Sequence, residues 1–296
     1  FASSTFEIHN GFGGLPMPSR LAEETEFERL IDELGSAGRG LFMITAGERT
    51  TIDTLTGYSR RSGRPMVYAA LLHNSQVPER TRNILSGCRT AQAADVPVYA
   101  QVSCQPLSMN FSLDAAYPLY GVDPWGSLPI DDPAALRTAL ADSEFRAHFR
   151  RSLTQPVGGR LFNGDWDRVE VAVCAAHSDY EGQPIPTLAE ESGMDSIDFF
   201  FDLALSEDLA TVFNAKLLNV DEETVGDILQ HPDSLISLSD AGAHLTFFCD
   251  AGYGLHLLGH WVRERGDFEI GEAVRQITRR PAEIYGIRDR GVLTEG

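Results

Sequence analysis

Apolar residues recur at helical spacing at Phe27, Leu30, Ile31 and Leu34 within EETEFERLIDELGSAGRG, and Gly35 and Gly38 follow as stop signals. Next comes GLFMIT (40–45), a short unbroken apolar run that reads as a buried strand. The alternation continues. Residues 51–62 read as a helix ended by Gly63, MVYAALLHN (66–74) as a second buried strand, 79–93 as a helix and PVYAQVS (97–103) as a third strand. Near-continuous apolar strands separated by helices and short turns predict a parallel sheet covered by helices.

The rhythm breaks after Cys104. Residues 105–165 are rich in Pro, Gly and aromatics, with a helix predicted near 132–153. An insertion of this length is expected to be a lid or a subdomain. Beyond it, VEVAVCA (169–175) alternates as a strand, 195–205 reads as a helix and TVFNAKLL (211–218) as a strand. DEETVGDILQ (221–230) reads as a helix with an acidic first turn, LISLSD (235–240) as a strand, and helices are expected over 251–264 and 269–285. The expected organisation is therefore a barrel segment over 1–104, an insertion over the site at 105–167 and the remainder of the barrel over 168–296. A doubly wound sheet would carry GxGxxG after an early strand; GFGG at 11–14 has the wrong spacing. An α/β fold of the (β/α)8 TIM-barrel type fits better. In that fold the active site is built at the C-terminal strand ends. Thr45, His73, Ser103 and Asp240 all fall at such predicted ends.

Composition narrows the partners. The chain has 296 residues, 43% of them hydrophobic, and a formal net charge of −19 from 24 Lys and Arg against 43 Asp and Glu. Such an acidic balance argues against nucleic acid or an anionic membrane surface and leaves a small-molecule substrate as the expected partner. No apolar run reaches 18 residues, so no transmembrane helix is expected, and no signal-peptide pattern opens the chain. The chain opens at Phe1, without an initiator Met, and is read as a segment of a longer protein. Cys88, Cys104, Cys174 and Cys249 form no CxxC pair, which fits a reduced, cytoplasmic setting.

Several residues carry candidate chemistry, each with a plainer alternative. Asp240, in ISLSDAGAHL, can bind a divalent metal and take a proton from water, or can cap a helix. His73 ends MVYAALLH; a neutral imidazole there is a zinc ligand or a histidine bonded to a loop. His244 follows Asp240 by four, as a substrate contact, a group orienting the carboxylate, or a solvated helix-start residue. His9 follows a short predicted strand and faces the site if that strand belongs to the sheet, and Ser103 offers a substrate contact. Cys104 reads as a ligand, a nucleophile or a small buried hydrophobe. His256 and His260 share helical i,i+4 spacing but lack the Glu of HExxH, so packing is the preferred reading.

Several stretches together resemble a known family. SLSDAGAHL, FCDAGYGLHLLGHWVRERG and EAVRQITRRPAEIYGIRDRGVLTEG resemble the end of the barrel in amidohydrolase-superfamily enzymes, and most of all the N-acyl-D-amino-acid deacylases, or D-aminoacylases. The opening FASSTFEIHNGFGGLPMPSRLAEETEFERL is similar to the segment after the fourth barrel strand. The resemblance implies an incomplete barrel, about strands four to eight, with the insertion after strand seven. GLFMIT becomes the fifth barrel strand, MVYAALLH the sixth, PVYAQVS the seventh and LISLSD the eighth. It further implies that Asp240 matches the catalytic aspartate, that His73 matches the sixth-strand metal ligand, and that the cofactor is zinc, one ion or two. The chain departs from the pattern at several places. The HxH motif of the first strand would lie before Phe1, Thr45 stands where the fifth-strand histidine would, and HNSQ lacks the basic residue that follows the sixth-strand histidine.

The expected function is metal-dependent hydrolysis of an amide-like C–N bond in the intact protein. The isolated segment is expected to be inactive, because an unclosed barrel exposes strand edges. The rivals are a metal-free barrel that binds a small molecule without catalysis and a lyase or isomerase that uses Asp240 as its base.

Overall fold

The computed structural model describes residues 2–6, 9, 17–45, 47, 49–155, 157, 160–239 and 251–295. The strands are β1 (Ala2–Ser4), β2 (Phe42–Thr45), β3 (Met66–Leu71), β4 (Val98–Val102), β5 (Leu107–Phe111), β6 (Val169–Val173), β7 (Val212–Leu218) and β8 (Ser234–Ile236). The chain divides into two compact units. One comprises the described residues of 1–105, 219–240 and 250–296, and the other those of 106–218.

The first unit is built on a five-stranded sheet in the order β1-β2-β3-β4-β8, every pairing parallel. Helices Glu24–Ala37, Ile52–Ser62 and Pro78–Ala93 make the crossovers between its first four strands. The helix starts follow local chemistry. The Thr51 hydroxyl accepts the Thr54 N–H at the start of Ile52–Ser62, and left-handed glycines end the first two helices at Gly38 and Gly63. The period of two along each strand sorts the side chains. Phe42, Ile44, Met66, Tyr68, Val98, Ala100, Val102 and Ile236 pack with Phe27, Ile31, Leu55, Ile84 and Trp261 in the main core. On alternate positions Val67 and Leu235, with Met43 and Tyr99 against them, join Leu41 and Ile284 in a smaller cluster. Both faces are thus partly apolar, which is why the strands read as continuous apolar runs.

The second unit has its own core under an antiparallel sheet in the order β5-β7-β6. Phe111, Phe200 and Phe213 meet beneath it, and Trp125, Phe149 and Phe201 extend the aromatic cluster. The sequence reading ended the insertion at 167. Strand β7 pairs with β5 on one side and with β6 on the other, so the compact unit runs on to Leu218. The helix expected over 132–153 is two, Pro133–Ala141 and Ser143–Ser152. Asp142 between them has extended backbone, and its carboxylate accepts the N–H groups of Glu144 and Phe145. The acidic cap stops one helix and starts the next.

The strand expected over 235–240 ends at Ile236. Its partner β4 ends at Val102, whose carbonyl accepts the N–H groups of both Ser237 and Leu238 at 3.3 Å. The ladder has no further β4 residue to pair with, so Asp240 follows the strand by four residues. Asp240 itself and His244 lie outside the described residues. No helix among the described residues is long and apolar enough to cross a membrane.

Candidate functional site

Because the five strands are parallel, their C-terminal ends share one edge of the sheet. Thr45 is the last residue of β2, His73 stands two beyond β3, and Ser103 directly follows β4. His73 and Ser103 are both buried, with 3% and 5% of their surface exposed. They are brought together by Asn219, which follows β7 in sequence and belongs to the first unit. The Asn219 Oδ1 accepts the His73 backbone N–H at 3.3 Å, and the Asn219 N–H donates to the His73 carbonyl at 2.7 Å. Its Nδ2 donates to the carbonyls of Ser103 at 2.8 Å and Gln105 at 2.9 Å. One side chain thereby ties the exits of β3 and β4.

The His73 ring is held separately. Its Nδ1 lies 3.0 Å from the hydroxyl of Thr81, a buried residue in the first turns of the helix Pro78–Ala93. Nε2 has no hydrogen-bond partner among the described residues. Burial holds the His73 pKa below the ordinary histidine value. The Asp221 carboxylate opposes that shift, and the Arg82 charge adds to it. The result is a neutral imidazole, the form that binds a metal. The Asp221 carboxyl is itself held below the usual range, first by the hydrogen bond from the Thr224 hydroxyl at 2.9 Å.

The other candidates have definite places. The Ser103 hydroxyl accepts the Gln105 N–H at 3.0 Å, which fixes the turn leaving β4. Cys104 is buried, its thiol donates to the Tyr253 carbonyl, and burial pushes its pKa up to about 12. That is a small packed thiol, not a thiolate ligand. The Trp261 indole donates to the Cys104 carbonyl at 2.7 Å and pins the same segment. His9 is half-buried, with Nδ1 2.7 Å from the Ser4 hydroxyl beyond β1. Strand β1 stands two strands from β3, about 10 Å at the usual spacing, so His9 is on the same sheet edge but is not a neighbour of His73. His256 and His260 stack with ring centroids 5.0 Å apart, and the two nitrogens of His260 meet Glu222 and Glu264.

Sequence reasoning missed Thr81 as part of this site and offered Asn219 only as a polar side chain that could help position a substrate. Asn219 carries no motif, and its one sign is chemical: a left-handed backbone, with φ of 62°, is tolerated best by Asn among side-chain-bearing residues. Thr81 lies on the inner face of an amphipathic helix, where an apolar residue is the default. Among the described residues no three His, Cys, Asp or Glu side chains gather closely enough to hold a metal ion. The described donor set therefore fits a metal at one ligand, the neutral His73.

Comparisons with known proteins agree on the fold. No protein-family model matches the chain. Among solved structures, it is similar to the N-acyl-D-glutamate deacylase of Bordetella bronchiseptica, complexed with zinc and a phosphonate inhibitor that mimics the tetrahedral intermediate. The TM-score is 0.52 at 18% identity, over 95% of this chain and 49% of that one. It is also similar to D-aminoacylase, described as defining a novel subset of amidohydrolases, with a TM-score of 0.51 at 17% identity over 93% of this chain and 48% of that one. The same figures hold for a D-aminoacylase structure concerned with its binuclear metal center. The chain thus has a mixed α/β fold with a parallel sheet like that of the D-aminoacylases, the group its sequence resembles. Among curated proteins, an uncharacterized protein of Mycobacterium tuberculosis (strain H37Rv) is 27% identical over 179 residues, 57% of this chain and 28% of the relative. An uncharacterized protein of Mycobacterium bovis matches over the same extent. The chain spans about half the length of the solved structures, and its match spans 28% of the curated relatives.

Proposed function

We propose that the five-stranded parallel sheet is an arc of a (β/α)8 barrel and that the intact protein is a metal-dependent amidohydrolase. Its substrate would be a small N-acylated amino acid or a related amide, cleaved at the C–N bond. The observation that carries this reading is His73: a buried, neutral imidazole at the C-terminal edge of the sheet, with Nδ1 held and Nε2 unpartnered among the described residues. The likeness in fold to a zinc-bound deacylase supports it.

In this reading His73 and Asp240 would hold zinc, one ion or two. Zinc, when bound, lowers the pKa of water to about 7 and polarises a carbonyl. Asp240 takes the proton of the attacking water and passes it to the leaving amine as the C–N bond breaks, general base first and general acid second. Ser103, His244 and His9 line the substrate's approach. Hydrogen bonds through Asn219 keep the exits of β3 and β4 in register, so the metal-side and substrate-side groups stay fixed. A second reading, a metal-free barrel that binds a small molecule, is favoured by Thr45 at the end of β2, where the resemblance expects a histidine.

Replacing Asp240 by Ala in the intact protein tests the role. Turnover should fall by roughly 10²–10⁴-fold, the usual size of a general acid–base contribution. The melting temperature should stay within a few degrees of wild type. Full activity in Asp240→Ala contradicts the mechanism.

A further inference from the structure

The turn from His231 to Ser234 leads out of the helix Glu222–Gln230 into β8. His231 closes that turn twice. Its carbonyl accepts the Ser234 N–H at 3.0 Å, and its ring Nδ1 accepts the Asp233 N–H at 3.3 Å. The second bond has one possible direction, because a backbone N–H only donates. Nδ1 therefore presents its lone pair, and the hydrogen of the neutral ring sits on Nε2. The arrangement matches an Asx turn, with an imidazole nitrogen in place of the Asn oxygen. The Asp233 carbonyl in turn accepts the Ala100 N–H at 3.0 Å, a rung between β4 and the entry of β8. Arg280, from the helix Arg279–Tyr285, donates to the carbonyls of Pro232 and Ser234.

A proton on the ring changes its partner. The Asp233 carboxylate is buried, and its Oδ2 lies 3.9 Å from the same Nδ1. Oδ2 accepts no hydrogen bond among the described residues; Arg89, on the helix Pro78–Ala93, approaches it with Nε at 3.3 Å. Protonated at Nδ1, the ring can no longer accept the Asp233 N–H and instead has a carboxylate oxygen within a short movement. We propose that this turn is a protonation switch: neutral His231 latches the entry of β8 through the Asp233 N–H, and the imidazolium gives up that bond for the Asp233 carboxylate. Burial holds the His231 pKa below the ordinary histidine value. The Asp233 carboxylate opposes that shift, and the Arg89 and Arg280 charges add to it. The unfolded chain thus takes up this proton first, near the ordinary value of about 6.5. The latch contributes its full stability above that value and loses it as pH falls through the folded one.

Long-range ¹H–¹⁵N spectra of the whole protein test the latch, with the ring signals assigned through their couplings to the His231 backbone. At about pH 8 the wild type should show the Nε2–H tautomer. His231→Asn supplies the control, since its Oδ1 stands where the histidine has Nδ1 and does not titrate. Between about pH 8 and about pH 5 the wild-type Asp233 amide should lose roughly 2–10-fold of its exchange protection relative to the same amide in His231→Asn, the worth of one hydrogen bond. The urea midpoint should fall further in the wild type than in His231→Asn over the same range; the other histidines titrate in both proteins and cancel. An Nδ1–H tautomer in the neutral wild type overturns the inference by itself, even if His231→Asn fails to fold. Equal pH dependence of protection and midpoint in the two proteins overturns it as well.

Discussion

Asn219 makes four hydrogen bonds from a backbone that few residues adopt, with φ at 62° and 3% of its surface exposed. Alanine there would leave the Ser103 and Gln105 carbonyls and the His73 N–H without their side-chain partner, inside a buried segment. Each unpaired buried group costs about 1–3 kcal/mol, in part relieved by local shifts, and a β-carbon without Asn's polar compensation is strained at this φ. We expect Asn219→Ala to lose roughly 2–4 kcal/mol, read from urea denaturation midpoints. Asn219→Asp should also be destabilised, because a carboxylate cannot donate to the two carbonyls. Wild-type stability in both variants would remove Asn219 from the account. The sequence distance explains why the role of this residue in tying the strand exits was not legible beforehand. His73 is visible as the polar end of an apolar run, but Asn219 is 146 positions away from it and meets it only through the fold. Asp240 and His244, which were legible as candidates in sequence, lie outside the described residues.

Two glycines inside helices test the packing of the first unit with opposite signs. Gly57 lies in the helix Ile52–Ser62, and a β-carbon there would meet nothing within 4 Å. Gly87 lies in the helix Pro78–Ala93, and a β-carbon there would meet Ile52 Cγ2 at 2.8 Å and its Cβ at 3.2 Å. Ile52 is β-branched and cannot rotate cheaply out of the way. Alanine should therefore stabilise at position 57 by roughly 0.5–1 kcal/mol through helix propensity. At position 87 overpacking of about 1–3 kcal/mol should outweigh the same gain. Thermal melts of Gly57→Ala and Gly87→Ala decide it; equal shifts would mean the two helices do not approach as described. Elements of this kind were readable because the first unit has long apolar runs with clear stops. β5 was not, since LSMNF alternates weakly inside a segment rich in Pro, Gly and aromatics. The break at Asp142 was hidden because an acidic cap between two helical patterns looks, in one dimension, like a polar position on a single helix.

At the scale of the whole molecule, a parallel sheet with its candidate residues on one edge accounts for the strand–helix alternation, the likeness in fold to D-aminoacylases and the placement of His73 and Ser103. A net charge of −19 weighs against a polyanion as partner and is compatible with a small substrate. The alternation and the parallel sheet were legible because buried strands leave a one-dimensional trace. The extent of the second unit was not, because its sheet joins residues about a hundred positions apart, as in the pairing of Asn110 with Asn214. We propose that the chemistry of the intact protein runs on a metal held through His73. The most direct measurement is hydrolysis of N-acetyl-D-amino acids by that protein before chelation, after removal of divalent ions, and after zinc is returned. The account predicts that turnover disappears with the metal and comes back with zinc. It further predicts that zinc fails to restore turnover in His73→Ala. Turnover that survives complete metal removal, or that zinc restores equally well in His73→Ala, would contradict it.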